Sequence, residues 1–181
     1  LFMSFQNLKN LTILILTYKR HKQLLNKIKF LSDFNYKVLI IDGSPKSIKQ
    51  NSFKNKNISY HHYPTENYHE RIFFAEKFIN TKYIKIEADN DYFMPSSMSK
   101  SINFLEKNPS FSSVIGKCGL YSLFKEKVFI KQIFNNHKSL TNKSINKRCD
   151  DYMQQYSPAL YYAVSRTTIF KEIIKLWKKS E

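Results

Sequence analysis

The sequence predicts an α/β fold, a mostly parallel sheet flanked by helices, with mixed strands in its second half. Three observations predict it. Two short apolar runs rich in β-branched residues, LTILIL at 11–16 and KVLII at 37–41, each end in polar or turn residues. A segment of helical periodicity, HKQLLNKIKFL, lies between them. Strands of a parallel sheet read as continuous apolar runs because both faces are covered, and a strand–helix–strand repeat returns the chain in the same direction.

The elements follow in order. After the first strand, polar TYKRH leads into a helix in which Leu24, Leu25, Ile28 and Leu31 recur near helical spacing. The second strand, KVLII, is ended by the turn signal DGSP. NISYHH at 57–62 reads as a shorter third strand, broken by Pro64. A helix is expected from about Glu66 to Asn80, burying Ile72, Phe73, Ala75, Phe78 and Ile79. KYIKIE at 82–87 supplies the fourth strand, and Pro95 starts a helix through SMSKSINFLEK that Asn108 and Pro109 close. Beyond it, FSSVIGK and GLYSLFKEKVFIKQIF look like strands or a hairpin, and HKSLTNKSINKRCDD like a loop. ALYYAVSR returns as a strand, and a helix runs from Thr167 or Thr168 through IFKEIIKLWKK.

Composition bounds the possibilities. With 181 residues, 42% hydrophobic and 15% aromatic, the chain builds one globular core, and no repeat or flexible linker divides it, so 1–181 reads as one domain. The apolar runs are far shorter than the roughly 20 residues that span a bilayer, and no N-terminal segment reads as a signal peptide. Cys118 and Cys149 have no metal spacing and read as free thiols of a reducing compartment. The net charge of +16 suits an anionic partner, whether nucleic acid, a phosphate-bearing substrate or a lipid surface. Nearly all of the basic residues are lysines in a chain equally rich in Asn and Ile, so the charge reads as well as compositional background. Three glycines, Gly43, Gly116 and Gly119, exclude a glycine-rich phosphate loop.

Chemistry concentrates in IKIEADNDYFMPSSM at 84–98, where Glu87, Asp89 and Asp91 fall within five residues at the end of an apolar run. In open α/β sheets ligands bind beyond the carboxyl ends of the strands. Three segments are expected to meet at that edge: Thr17-Tyr18-Lys19-Arg20, Asp42-Gly43-Ser44 and Asp89-Asn90-Asp91. Two carboxylates one residue apart fit a shared hard cation, Mg²⁺ or Mn²⁺, which also takes phosphate oxygens; the alternative is a solvated acidic turn. Asp42 reads as a turn cap before glycine or as an acceptor for a base or ribose. Tyr18 either stacks on a base or anchors the strand end, and Arg20 and Arg71 are surface residues or diphosphate grips. His61 and His62, with no third ligand at short spacing, read as structural or as neighbours of the donor.

Taken together, TILILTYKRHKQLL, VLIIDGSP and YIKIEADNDYFMPSSMSKSINFLEKNPSF resemble the nucleotide-sugar-binding half of family 2-like glycosyltransferases. These have the GT-A fold, a Rossmann-like sheet, and the chain looks closest to a subgroup whose acidic motif reads DDD followed by an aromatic. The resemblance covers about residues 10–120 and, more loosely, 159–167. It implies metal-dependent transfer of a sugar from a nucleotide diphosphate, a UDP-sugar foremost, with Mn²⁺ or Mg²⁺ as cofactor. The acceptor would be a saccharide or lipid-linked sugar of a surface polysaccharide or glycolipid. The resemblance places Thr17 and Tyr18 beside the base, Asp42 on the base, Asp89 near the ribose and Asp91 on the ion, with Asp89 and Asp91 forming the DxD pair. Where the family often has a further acid, this chain has Tyr92. Inversion requires a proton acceptor in the second half, 121–181, for which Asp150 and Asp151 are the nearest candidates; their alternative is salt bridging to Lys147 and Arg148 in an exposed loop.

Rival readings are a nucleotidyltransferase, which would want a glycine-rich loop after the first strand, and a non-enzymatic module binding a polyanion or membrane surface, for which no recognition motif is found. No nucleic-acid partner is expected. The expected location is the cytoplasm, and the positive charge is compatible with peripheral association at the cytoplasmic face of a membrane.

Overall fold

The structure is a computed structural model describing residues 6–49, 53, 55–133 and 138–180. In chain order its elements are β1 (Leu11–Thr17), α1 (His21–Ser32), β2 (Lys37–Asp42), β3 (Ile58–His62), α2 (Tyr68–Ala75), β4 (Tyr83–Glu87), α3 (Pro95–Lys107), β5 (Ser113–Val114), β6 (Cys118–Phe124), β7 (Lys127–Ile133), α4 (Ile145–Gln154), β8 (Val164–Arg166) and α5 (Thr167–Lys178). They form two compact units, Leu1–Val114 with Tyr162–Glu181, and Ile115–Tyr161.

The first unit is the α/β body read from the sequence. Its sheet runs β3-β2-β1-β4-β8-β5, with β1 to β4 parallel and β8 antiparallel to both β4 and β5. Alternation along the central strands divides the core. Leu11, Ile13 and Ile15 of β1, with Val38 and Ile40 of β2, meet Leu24, Ile28 and Leu31 of α1 and Met98, Ile102 and Leu105 of α3. Leu14, Leu39, Ile41, Ile84 and Ile86 turn the other way, toward Ala75 of α2, Ile79 and Phe170 of α5. Helices therefore cover both faces, which is why apolar residues run through these strands, with Thr12, Lys85 and Glu87 among the buried polar exceptions.

The winding has one reversal. From β1 the chain proceeds outward to β2 and β3, then crosses back to place β4 on the opposite side of β1. The reversal brings the carboxyl ends of β2, β1 and β4 side by side, with α1 and α3, the helices that follow β1 and β4, packed on one face and α2 on the other.

Three expectations are corrected. ALYYAVSR, read as a strand, is strand only at β8, while Pro158–Tyr162 form a 3₁₀ helix. The helix read from Glu66 to Asn80 is α2 alone, because Asn67 caps it in a capping box with Glu70 and a 3₁₀ turn, Glu76–Phe78, ends it. The tighter turn rotates successive side chains by a larger step, so Phe78 leaves the apolar stripe and is exposed while Phe73 is only half-buried. The stretch read as a loop before Asp151 contains α4, started by Ser144, whose Oγ accepts from the Lys147 N–H.

The second unit holds the β6–β7 hairpin and α4. Hairpin register runs from Cys118↔Ile133 to Phe124↔Lys127, closed by Lys125 and Glu126 at φ 46° and 62°. Both turn residues are left-handed, as a two-residue hairpin turn demands, although neither is the usual Gly or Asn. The strand read to Phe134 reaches residues 134–137, which lie outside the described residues. Among the described residues no helix is long and apolar enough to cross a membrane.

Candidate functional site

The crevice at the end of β1 is built from three strand ends. Thr17 is level with Asp42 across β1 and β2, and the Gly43 N–H donates to the Thr17 carbonyl at 3.0 Å. Asp42 is fully buried. Its Oδ1 accepts from the Ser44 N–H at 2.7 Å, an Asx turn, and its Oδ2 accepts from Tyr60 Oη at 2.7 Å and His21 Nε2 at 2.9 Å. Burial alone would raise this carboxyl, but hydrogen bonds from Ser44, Tyr60 and His21 outweigh it and hold Asp42 below the ordinary aspartate value. The same contact, with burial, pushes the Tyr60 phenol up. Ser44 is locked in turn: its Oγ accepts from the Lys19 N–H at 2.8 Å and its carbonyl accepts from His62 Nε2 at 2.6 Å.

Gly43 marks a close approach of α2 to the strand end. A Cβ at this position would lie 2.3 Å from Arg71 Nη1. Arg71 is buried on α2 and donates from Nη1 to the Thr17 carbonyl at 2.8 Å and from Nε to the Asn67 carbonyl at 3.3 Å. It braces the strand end and lines the crevice floor.

The acidic segment after β4 separates into three fates. Asp89 is buried and its Oδ2 accepts from Thr17 Oγ1 at 2.9 Å. Its Oδ1 has no hydrogen-bond partner, although Arg20 Nε, on a half-exposed side chain, lies 3.3 Å away. Asp91 is exposed, and its carboxylate makes no hydrogen bond or ion pair among the described residues. Glu87 points inward between two lysines, with Lys27 Nζ 3.5 Å from Oε1 and Lys85 Nζ 2.9 Å from Oε2. The second contact is an ion pair without hydrogen-bond alignment. Lys27 donates to the Asp91 carbonyl and Lys85 to the Tyr162 carbonyl. Burial pulls Lys27 below the usual ammonium value, against the opposing pull of Glu87. Burial also raises the Tyr162 phenol, with the Asp91 charge next in importance.

The structure thus brings Thr17, Tyr18, Arg20, Asp42, Arg71 and Asp89 to one sheet edge, with Asp91 on the loop that follows. Tyr18 is half-exposed beside them. Asp150 and Asp151 lie on α4 of the second unit, where Asp151 pairs with Lys147 at 2.9 Å, the salt bridge anticipated for it. Arg148 instead donates to the carbonyls of Asn142 and Lys143. Arg166 is spent on the carbonyls of Leu105, Asn108 and Phe111. His61 stacks on Phe78 at 3.9 Å between centroids, a structural place like that of His62. Sequence reasoning missed His21, Tyr60, Lys27 and Lys85. A lysine within the apolar face of α1 and another inside β4 were the available signals.

The donor set suits a hard divalent ion without caging it. Asp89 and Asp91 offer carboxylate oxygens, among them the buried Oδ1 of Asp89, which accepts no hydrogen bond and has Arg20 Nε 3.3 Å away. Among the described residues no group of three or more His, Cys, Asp or Glu side chains gathers as a ligand set. An ion held here would complete its shell with water and substrate phosphate oxygens, as Mg²⁺ and Mn²⁺ commonly do.

No protein-family model matches the sequence, and no curated protein matches it. Solved structures do. The crystal structure of S. aureus TarS 1–349 aligns with a TM-score of 0.58 at 16% identity, over 90% of this chain and 48% of that one. A second S. aureus TarS crystal structure aligns at 0.50 and 18%, over 90% and 29%. A CMP-2-keto-3-deoxy-manno-octonic acid synthetase complexed with CTP aligns at only 0.43 and 8%, over 94% and 99%, a likeness too loose to bear on topology. The chain spans about half of TarS 1–349. The fold is accordingly that of the GT-A or Rossmann-like class, a mostly parallel sheet flanked by helices, shared with TarS.

Proposed function

We propose that this chain is the donor-binding part of a metal-dependent glycosyltransferase moving a sugar from a nucleotide diphosphate to a saccharide or lipid-linked acceptor. The observation that carries the reading is the meeting of Thr17, Asp42 and Asp89 at the winding reversal, with the exposed Asp91 just beyond. In this reading the base lies against Thr17 and Tyr18 and reaches Asp42 by taking the place of His21, a part-exposed donor. Asp89 meets the ribose, Arg20 and Arg71 face the diphosphate, and Asp89 with Asp91 holds Mn²⁺ or Mg²⁺. Such an ion neutralises charge on the departing diphosphate. Asp150 and Asp151 are the candidate proton acceptors for the acceptor hydroxyl, and Asp150 is the one with no ion pair within 4.0 Å among the described residues. UDP-sugars are the first donors to test.

A thermal-shift panel of nucleoside diphosphates, nucleotide sugars and nucleoside triphosphates, with and without Mn²⁺, tests the reading. The expected result is stabilisation by one nucleoside diphosphate and its sugar conjugates that requires metal and vanishes in Asp91→Ala. Selective stabilisation by a triphosphate would favour a nucleotidyltransferase, and salt-sensitive binding of any polyanion regardless of Mn²⁺ would favour a binding module.

A further inference from the structure

We propose that Lys27 is a positioning residue for the acidic loop, holding the Asp91 backbone from inside the fold so that the Asp91 carboxylate faces the diphosphate end of the donor. The inference rests on the donor-site reading above and adds to it a residue that cannot itself touch the ligand, since Lys27 is wholly buried.

The position is one where an apolar side chain would be expected. Leu24, Ile28 and Leu31 of the same helix face enter the core. A buried ammonium is tolerated only where acceptors meet its protons. Lys27 finds the Asp91 carbonyl, Glu87 Oε1 at 3.5 Å, and the rings of Phe93 and Tyr92 at 5.0 and 5.1 Å. Glu87 is shared with Lys85, so two buried cations face one buried anion, and the excess positive charge sits under the loop bearing Asp91. That loop is otherwise irregular: residues 88–94 carry neither strand nor helix. An irregular loop places a ligating carboxylate accurately only when its backbone is held, and supports behind a metal ligand tune affinity without contacting the ion. Core filling alone would not account for an ammonium aimed at the carbonyl of the one acid in the segment that faces solvent.

The test separates the diphosphate from the base. Binding of UDP and of uridine, each with Mn²⁺, is measured by calorimetry on the wild type and on Lys27→Met, with circular dichroism confirming the fold. The expected result is UDP affinity weakened by about tenfold or more, with uridine affinity within about twofold. Equal weakening of both ligands would show a purely structural role, and no weakening of either would show that the loop holds itself; each overturns the proposal. Should Lys27→Met not fold, Lys27→Leu, which carries no donor, is judged by the same two affinities. A wild type that binds uridine but gains nothing from the diphosphate and Mn²⁺ overturns the donor-site reading itself, a result distinct from failure of the Lys27 role.

Discussion

β1 and β7 are built from similar residues and meet opposite environments. In β1, Ile13, Leu14 and Ile15 are wholly buried, whereas in β7 Val128 and Ile130 are 63% and 75% exposed. β1 has a strand on each side and helices over both faces; β7 pairs only with β6. A two-stranded ribbon cannot bury its own side chains, and apolar surface of this kind is characteristic of a face that meets something else. The difference teaches that strand propensity is common to both regions while cover is not. Stability and the fixed geometry of polar groups belong to the covered region, which is also where Thr17, Asp42 and Asp89 are assembled.

The sharpest way to break this comparison is a matched truncation. Ile15→Ala is expected to cost about 3–4 kcal/mol in a denaturant melt, and Ile130→Ala no more than about 0.5 kcal/mol. Comparable losses would mean that the ribbon is covered in the protein in solution. Next in size, Gly43→Ala should cost about 2 kcal/mol, because the new carbon displaces the Arg71 guanidinium from the Thr17 carbonyl; the denaturation midpoint reads the loss, and nucleotide binding should fall with it.

A smaller effect is expected in acid. Asp42 titrates lower in the folded chain than its ordinary value, so its contribution to stability is complete above the unfolded value and is lost as pH falls through the folded one. Tyr60→Phe removes one of the hydrogen bonds that depress it, bringing the folded value closer to the unfolded one. Acid unfolding of that variant should therefore begin at a higher pH than in the wild type, monitored by circular dichroism. The least effect belongs to the second unit: Lys147→Ala breaks an exposed i,i+4 pair with Asp151 and should leave the melting temperature unchanged.

What was legible in the sequence follows the same division. β1, β2, β4 and the helices α1, α3 and α5 were readable because burial on both faces writes apolar runs and helical stripes, whereas β3, none of whose residues is buried, was read from NISYHH and the Pro64 that follows it. The convergence of Thr17, Asp42 and Asp89 was readable too, since strand order alone places them at one edge. α4 was not: Ile145, Cys149, Tyr152 and Met153 recur at helical spacing, but none of its residues is buried and the segment around them is polar. The inward turn of Glu87 was hidden for a different reason: an acid's partner declares itself only when Lys27, sixty residues earlier, is seen to arrive beneath the same strand. His21 and Tyr60 were missed likewise, as polar residues whose common target lies on a third element.

The five-residue stretch from Glu87 to Asp91 spells three negative charges, yet only one of them is turned to water. An ion approaching the empty crevice would meet a single open carboxylate with a buried ammonium behind it, a feeble trap. In the donor-site reading proposed above, metal and nucleotide arrive as a preformed pair, and titration with Mn²⁺ in the absence of nucleotide should register almost nothing.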